Sequence, residues 1–385
     1  MKKVYLILSL CLGSIFMYSQ NTETDKLLKK LVEKEVLTQD EADEIKKESM
    51  EENSSSDKIE ETTNKVRNIF NNTPYLQLGG YAQFLYQYSN TAKIKNNSIP
   101  RVIFLSARGK VTKNIGYFIL AEFADPRLYE FYAEFTPYKE INIKVGQAKV
   151  PISLENQISL ANLETILNTR SVSSLIGMGD DVMRIQNGIN NTGRDVGIQI
   201  YGSLFDISGH DFIQYGAGIF QGSGMNTFDK DNSKDFAATL MFQPVKGFRI
   251  GSSISLGEAT YEIIPSSEQL SHVRNRWMIS TDYKSDRLYV RAEWIKGKDS
   301  SIDKEGLYGT AQYYVLPQKL SLVGKVDYYN QNKNTGSEVI DYLAGIDYYF
   351  YSKCRVQVNY QYSDYSHKWD TKNSHNIIGQ LQFVF

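Results

Sequence analysis

The chain has little of what most enzymes and helical membrane proteins are built from. It holds two cysteines, eight prolines and four histidines in 385 residues. Cys11 lies inside the apolar stretch 4–17 and leaves with it, so Cys354 stands alone and no internal disulfide can form. His210, His272, His367 and His375 are scattered through turns and strand ends without ligand spacing, which excludes a metal set and gives no cofactor a place. The pairs Ser271-His272 and Ser374-His375 could be imagined as hydrolase groups, but each reads better as a polar loop pair. Only residues 4–17 approach a continuous apolar run, short of the roughly 20 residues a membrane helix needs. Residence in a membrane would therefore have to be as a barrel. A net charge of −1 argues against a general nucleic-acid binder.

What the chain does have is aromatic and small residues, with 27 tyrosines, 18 phenylalanines and 27 glycines. Together with so little proline, these favour many strands joined by turns. Residues 1–20 read as a signal peptide: Met1-Lys2-Lys3, then an apolar run, then Tyr18-Ser19-Gln20. Residues 21–74 read as a periplasmic helical leader, with 14 acidic and nine basic residues. Ile59, Thr62, Val66 and Ile69 recur there at coiled-coil spacing for about two heptads. Two heptads hold only where something else brings chains together, so the segment is either an aid to oligomerisation or a flexible solvated leader.

From Tyr75 to Phe385, segments of roughly ten residues alternate apolar with polar or small side chains. Sixteen such segments can be placed between 75–88 and 375–385, an even number, as a barrel with both ends on one side requires. Connections after even strands are tight and those after odd strands longer, Asp125-Pro126-Arg127 excepted. The expected fold class is all-β, a transmembrane antiparallel barrel of about sixteen strands. Leu78, Phe84, Ile198, Ile200, Val356 and Val358 should meet lipid, and Gln77, Gln83, Gln199, Gln357 and Asn359 the lumen. The last strand, Asn376 to Phe385, alternates to an aromatic terminus and is similar to the assembly signal of bacterial outer-membrane barrels. The stretch 150–192 breaks the pattern and is far longer than ordinary loops. Its partial helical periodicity suggests a constriction loop folded against the inner wall; an external plug or partner-binding loop is the alternative.

Val145-Gly146-Gln147-Ala148-Lys149-Val150-Pro151-Ile152, Thr169-Arg170-Ser171 and Gly193-Arg194-Asp195-Val196-Gly197 resemble the phosphate-selective porin O and P family. Leu78-Gly79-Gly80-Tyr81 and Ala107-Arg108-Gly109-Lys110-Val111 add to the likeness, which spans 75–385 through loose motifs. The resemblance implies an outer-membrane porin, usually trimeric, whose third external loop folds inward and whose lumen arginines and lysines pass anions. The candidate anion-binding residues are Arg108, Lys110, Lys149, Arg170, Arg274, Arg276, Arg287 and Arg291. Alternation places Lys144, Arg249, Lys325 and Arg355 inward too. Against these stand inward Glu122, Glu130, Glu134, Asp195, Asp282, Glu293, Asp327, Asp341 and Asp347, a near balance that suits a broad solute pore. Each arginine could equally be tied up by one of these carboxylates. The expected partners are small solutes or inorganic anions, outer-membrane lipid and two further copies of the chain. A structural or adhesive barrel is the competing reading.

Overall fold

The computed structural model describes residues 74–385 except 180, 189, 263–269 and 370. The expected signal peptide, 1–20, and all but Pro74 of the expected leader lie outside the described residues. The strands are β1 (Gln77–Ser89), β2 (Asn96–Lys110), β3 (Ile115–Glu122), β4 (Arg127–Phe135), β5 (Asn142–Lys149), β6 (Arg194–Ile207), β7 (His210–Phe220) and β8 (Asp235–Val245). Next comes β9, running Phe248–Leu256 and resuming as Glu258–Tyr261. The remainder are β10 (Leu270–Lys284), β11 (Leu288–Asp299), β12 (Ile302–Leu316), β13 (Leu320–Asn330), β14 (Glu338–Tyr351), β15 (Cys354–Tyr365) and β16 (Ser374–Val384). Both parts of β9 face β10 in one register, Ser255 opposite Arg276 and Glu258 opposite Val273, so they occupy a single place in the wall.

Each strand pairs antiparallel with its sequence neighbours, and β1 pairs with β16 from Tyr81↔Val384 to Ser89↔Asn376. The sheet is closed, and no edge is left for another chain to extend. Gly80 and Phe385 exchange backbone hydrogen bonds of 2.9 and 3.0 Å at the seam. A Cβ on Gly80 would stand 2.3 Å from the Phe104 carbonyl oxygen and 2.8 Å from Cε2 of the Phe385 ring, so this seam requires glycine.

The pleat sorts the side chains. On β13, Leu322 and Val326 are exposed while Val323, Lys325 and Asp327 are buried, and on β15 Val356, Val358 and Tyr360 face out while Gln357 and Asn359 face in. A face of exposed Leu, Ile, Val and aromatic residues around a closed sheet costs little only in hydrocarbon, so the barrel spans a membrane. The tight turns mark the periplasmic end and the longer loops the outer end.

One register shift is informative. Gln83 faces Val102 but Phe84 faces Pro100, leaving Arg101 as an extra residue in β2. Pro100 has no N–H to give the ladder, and a bulge is where a strand tolerates that.

Candidate functional site

Residues 150–193, between β5 and β6, run inside the barrel in short pieces: α1 (Leu154–Gln157), a 3-10 turn (Leu160–Asn162), α2 (Arg170–Leu175) and α3 (Val182–Asn187). Their apolar side, Ile152, Val172, Leu175 and Ile176, packs on Phe220, Ala237, Met278, Ile295, Tyr308 and Tyr329 of the wall. Two wall glycines make room for α2: a Cβ on Gly306 would lie 2.4 Å from the Ser171 Cβ, and one on Gly297 2.7 Å from Leu175 Cδ2.

Every helix start in this segment meets a carboxylate, which satisfies N–H groups that short helices leave free. Glu293 accepts from the Leu154 and Glu155 amides at 2.7 and 3.2 Å. Asp327 accepts from the Arg170 and Ser171 amides. Asp181 caps α3 through the Met183 amide at 3.3 Å.

The buried arginines of the wall hold the same segment. Arg274 meets Asp181 at 2.8 Å, and Arg276, fully buried, reaches Asp299 at 2.8 Å, Asp181 at 3.4 Å and the Leu175 carbonyl at 2.5 Å. Arg291 pairs with Glu164 at 2.9 Å and Glu155 at 3.2 Å, and donates to Tyr308 at 2.8 Å. Arg170, on the segment itself, pairs with Asp341 at 2.8 Å. Burial pushes the Asp181 carboxyl up, but Arg274 and then Arg276 outweigh it and hold the group well below the usual carboxylate range. Burial opposes the Arg170 charge as well, and the bond to Asp341 outweighs it, so the guanidinium stays protonated beyond its ordinary range. Arg355 and Lys325 lack a carboxylate at ion-pair distance among the described residues. They bond instead to loop carbonyls, Arg355 to Leu163 at 2.8 Å and Lys325 to Leu167 at 3.1 Å.

The opposite wall is wetter. Lys149 donates to the Ile158 carbonyl at 2.8 Å, and Arg101 to Gln380 at 2.8 Å and Gln83 at 3.1 Å. Both are half-buried, and neither has a carboxylate at ion-pair distance among the described residues. Beside them Arg194 pairs with Glu130 at 2.7 Å and lies over the Tyr129 ring, and Lys144 lies over Tyr132. Gln157 and Asn162 of the loop are exposed, in the space that also holds Arg249 and Asp282.

The eight candidates thus fall into three places. Arg170, Arg274, Arg276 and Arg291 gather around the inner segment, and Lys149 sits on the wetter wall. Arg108 and Lys110 are exposed at the periplasmic end of β2. Arg287 corrects the expectation of a lumen residue: it belongs to the turn 285–287, because β11 begins only at Leu288. Arg101 was missed. Strict alternation puts it outward between Ile99 and Ile103, and the bulge turns it inward. Pro100 inside a strand pattern was the available clue.

Two chambers flank the inner segment. The outer one, about 870 Å³, is lined by Arg170, Asp181, Lys304, Asp299, Tyr329 and Trp369 among others. The inner one, about 720 Å³, is lined by Arg249, Asp282, Lys284, Lys353, Arg355 and Glu164 among others. Neither imagined serine–histidine pair is formed: Ser271 donates to Glu258, and His375 pairs with the Tyr360 hydroxyl at 2.7 Å.

Comparison with solved structures finds the same barrel. The anion-selective porin from Comamonas acidovorans superposes with a TM-score of 0.61 at 11% identity, covering 80% of this chain and 99% of that one. Outer-membrane expressed OmpT of Vibrio cholerae gives 0.58 at 12%, covering 80% and 97%. The outer membrane channel DcaP of Acinetobacter baumannii gives 0.55 at 12%, again covering 80% and 97%. The fold is that of outer-membrane porins. No protein-family model matches the sequence, and no curated protein matches it. The porin-type fold and the apolar outer face together make this a barrel of the outer-membrane kind.

Proposed function

We propose that the protein is a porin for passive diffusion of small solutes, with a local preference for anions. The water-filled path passes the inner segment beside the wall of β1 to β6, and 150–192 acts as its constriction loop. The observation that carries this reading is the pair Arg101 and Lys149, half-buried cations that bond only neutral groups there. A cation without a fixed counter-ion in a narrow aqueous path raises the local concentration of passing anions. Arg274, Arg276 and Arg291 hold the loop and stay out of the path. Phosphate or polyphosphate as the preferred solute, membership of the phosphate-selective O and P family, and a homotrimer belong to the same reading; they follow the likeness at Val145–Ile152 and Gly193–Gly197.

The test is conductance of the refolded protein in a planar bilayer under a salt gradient, with phosphate as blocker. Steps in threes, an anion-selective reversal potential and block by phosphate support the whole reading, while steps without selectivity leave a general porin. One observation favours a structural or adhesive barrel instead: the inner segment touches opposite walls, at Lys149 and Gln83 on one side and Arg276 on the other. Well-folded protein that gives no steps would decide for that barrel.

A further inference from the structure

The tight turns share a feature that the channel does not use. Seven turns close the periplasmic end, 111–114, 136–141, 208–209, 246–247, 285–287, 317–319 and 352–353. Six of them carry a cation, Lys113, Lys139, Lys246, Arg287, Lys319 and Lys353, against two acids, Glu140 and Asp286. Lys139 is taken by Asp206 and Asp211. The other five are exposed and have no carboxylate at ion-pair distance among the described residues.

Their distribution says what they meet. A protein partner would be matched by one compact patch, whereas these cations stand at five of the seven turns, that between β2 and β3 and each of the four from β8 to β15. Each also sits a few residues from an exposed apolar side chain of the lipid-facing surface: Val111, Val245, Tyr283, Leu316 and Tyr351. That spacing puts the charge at the depth of lipid phosphates, within reach of long basic side chains, although Lys353 also lines the inner chamber. We propose that this rim binds the phosphates of anionic phospholipids in the periplasm-facing leaflet and so recruits them as the barrel's boundary lipid. Lysines near an anionic surface are attracted within a Debye length, and several at one rim act together.

The test uses the full chain refolded in phosphatidylcholine vesicles containing phosphatidylglycerol, with spin-labelled forms of both lipids. The motionally restricted fraction should favour phosphatidylglycerol by about threefold and fall toward parity in about 1 M salt, where screening leaves roughly 3 Å of range. The combined variant Lys113→Gln, Lys246→Gln, Arg287→Gln, Lys319→Gln and Lys353→Gln should lose the preference, and Lys93→Gln with Lys95→Gln at the outer end should keep it. Equal restriction of the two lipids, or a preference that survives the fivefold change, overturns the proposal. So does displacement by inorganic phosphate beyond that by chloride at equal ionic strength, which would assign the rim to free anions. An acidic protein that binds the rim while lipids show no preference overturns it as well. If the fivefold variant does not refold, the salt series on the unaltered protein decides: a preference insensitive to salt is not electrostatic.

Discussion

Replacing Arg291 by methionine should free the inner segment without opening the barrel. Arg291 is buried and meets two carboxylates, Glu164 at 2.9 Å and Glu155 at 3.2 Å, plus the Tyr308 hydroxyl at 2.8 Å. Methionine fills most of the space but leaves both acids without their counter-ion, a change that costs about 3–5 kcal/mol in buried pairs. The wall around it stays bonded, since β11 pairs with β10 from Arg274↔Asp299 to Lys284↔Tyr289 and with β12 from Leu288↔Tyr313 to Asp299↔Ile302. The cost therefore falls on the segment that carries Glu155 and Glu164. At tenfold per 1.4 kcal/mol, its opening becomes roughly 140- to 3,700-fold more frequent. Hydrogen exchange reads this directly at the Thr169 amide, bonded to Glu155 at 2.7 Å, and at the Ile166 amide, bonded to Asn359 at 2.8 Å. Wall amides of β11 should not change. Adding Glu155→Gln and Glu164→Gln removes the stranded charges and should recover most of the protection. Unchanged exchange at Thr169 and Ile166 in the single variant would refute the assignment of Arg291 as the clamp.

Three further outcomes are expected. Arg101→Gln with Lys149→Gln should move the reversal potential toward cation selectivity, because a unit charge about 6 Å from a passing ion contributes about 0.7 kcal/mol even in water; an unmoved potential would remove the proposed path. Gly306→Leu should push α2 off the wall at about 1–3 kcal/mol, read as faster exchange at the Ser173 amide that bonds Thr169 at 2.9 Å, and normal exchange there would show that α2 does not need the glycine. The folded-state value of Asp181 is depressed, so its contribution is fully present above the ordinary carboxylate value and is lost only as pH falls through the lower one. Exchange in α3 should thus stay slow at mild acidity where ordinary carboxylates titrate; release of α3 near pH 4 would contradict the Arg274 and Arg276 pairing.

Much of the barrel was legible because a strand's period of two is a local property. Val356 and Gln357 differ in face whatever the rest of the chain does, and the tight turns at Lys246 or Lys353 announce themselves by length. The partners of the charges were not local. Arg291 meets Glu164 and Glu155 because a segment more than a hundred residues away folds into the lumen, and nothing in the alternation of β11 encodes that path. Arg101 shows the other limit: one extra residue at Pro100 reverses the face, so a pattern read without the register assigns a lumen cation to lipid. Sequence by itself determined the closed, lipid-facing sheet, since burial of backbone groups in hydrocarbon leaves no other arrangement for such strands. Tertiary structure alone decided which cations are spent holding the inner segment and which bond only neutral groups, because that division depends on distances set only when the loop is in place.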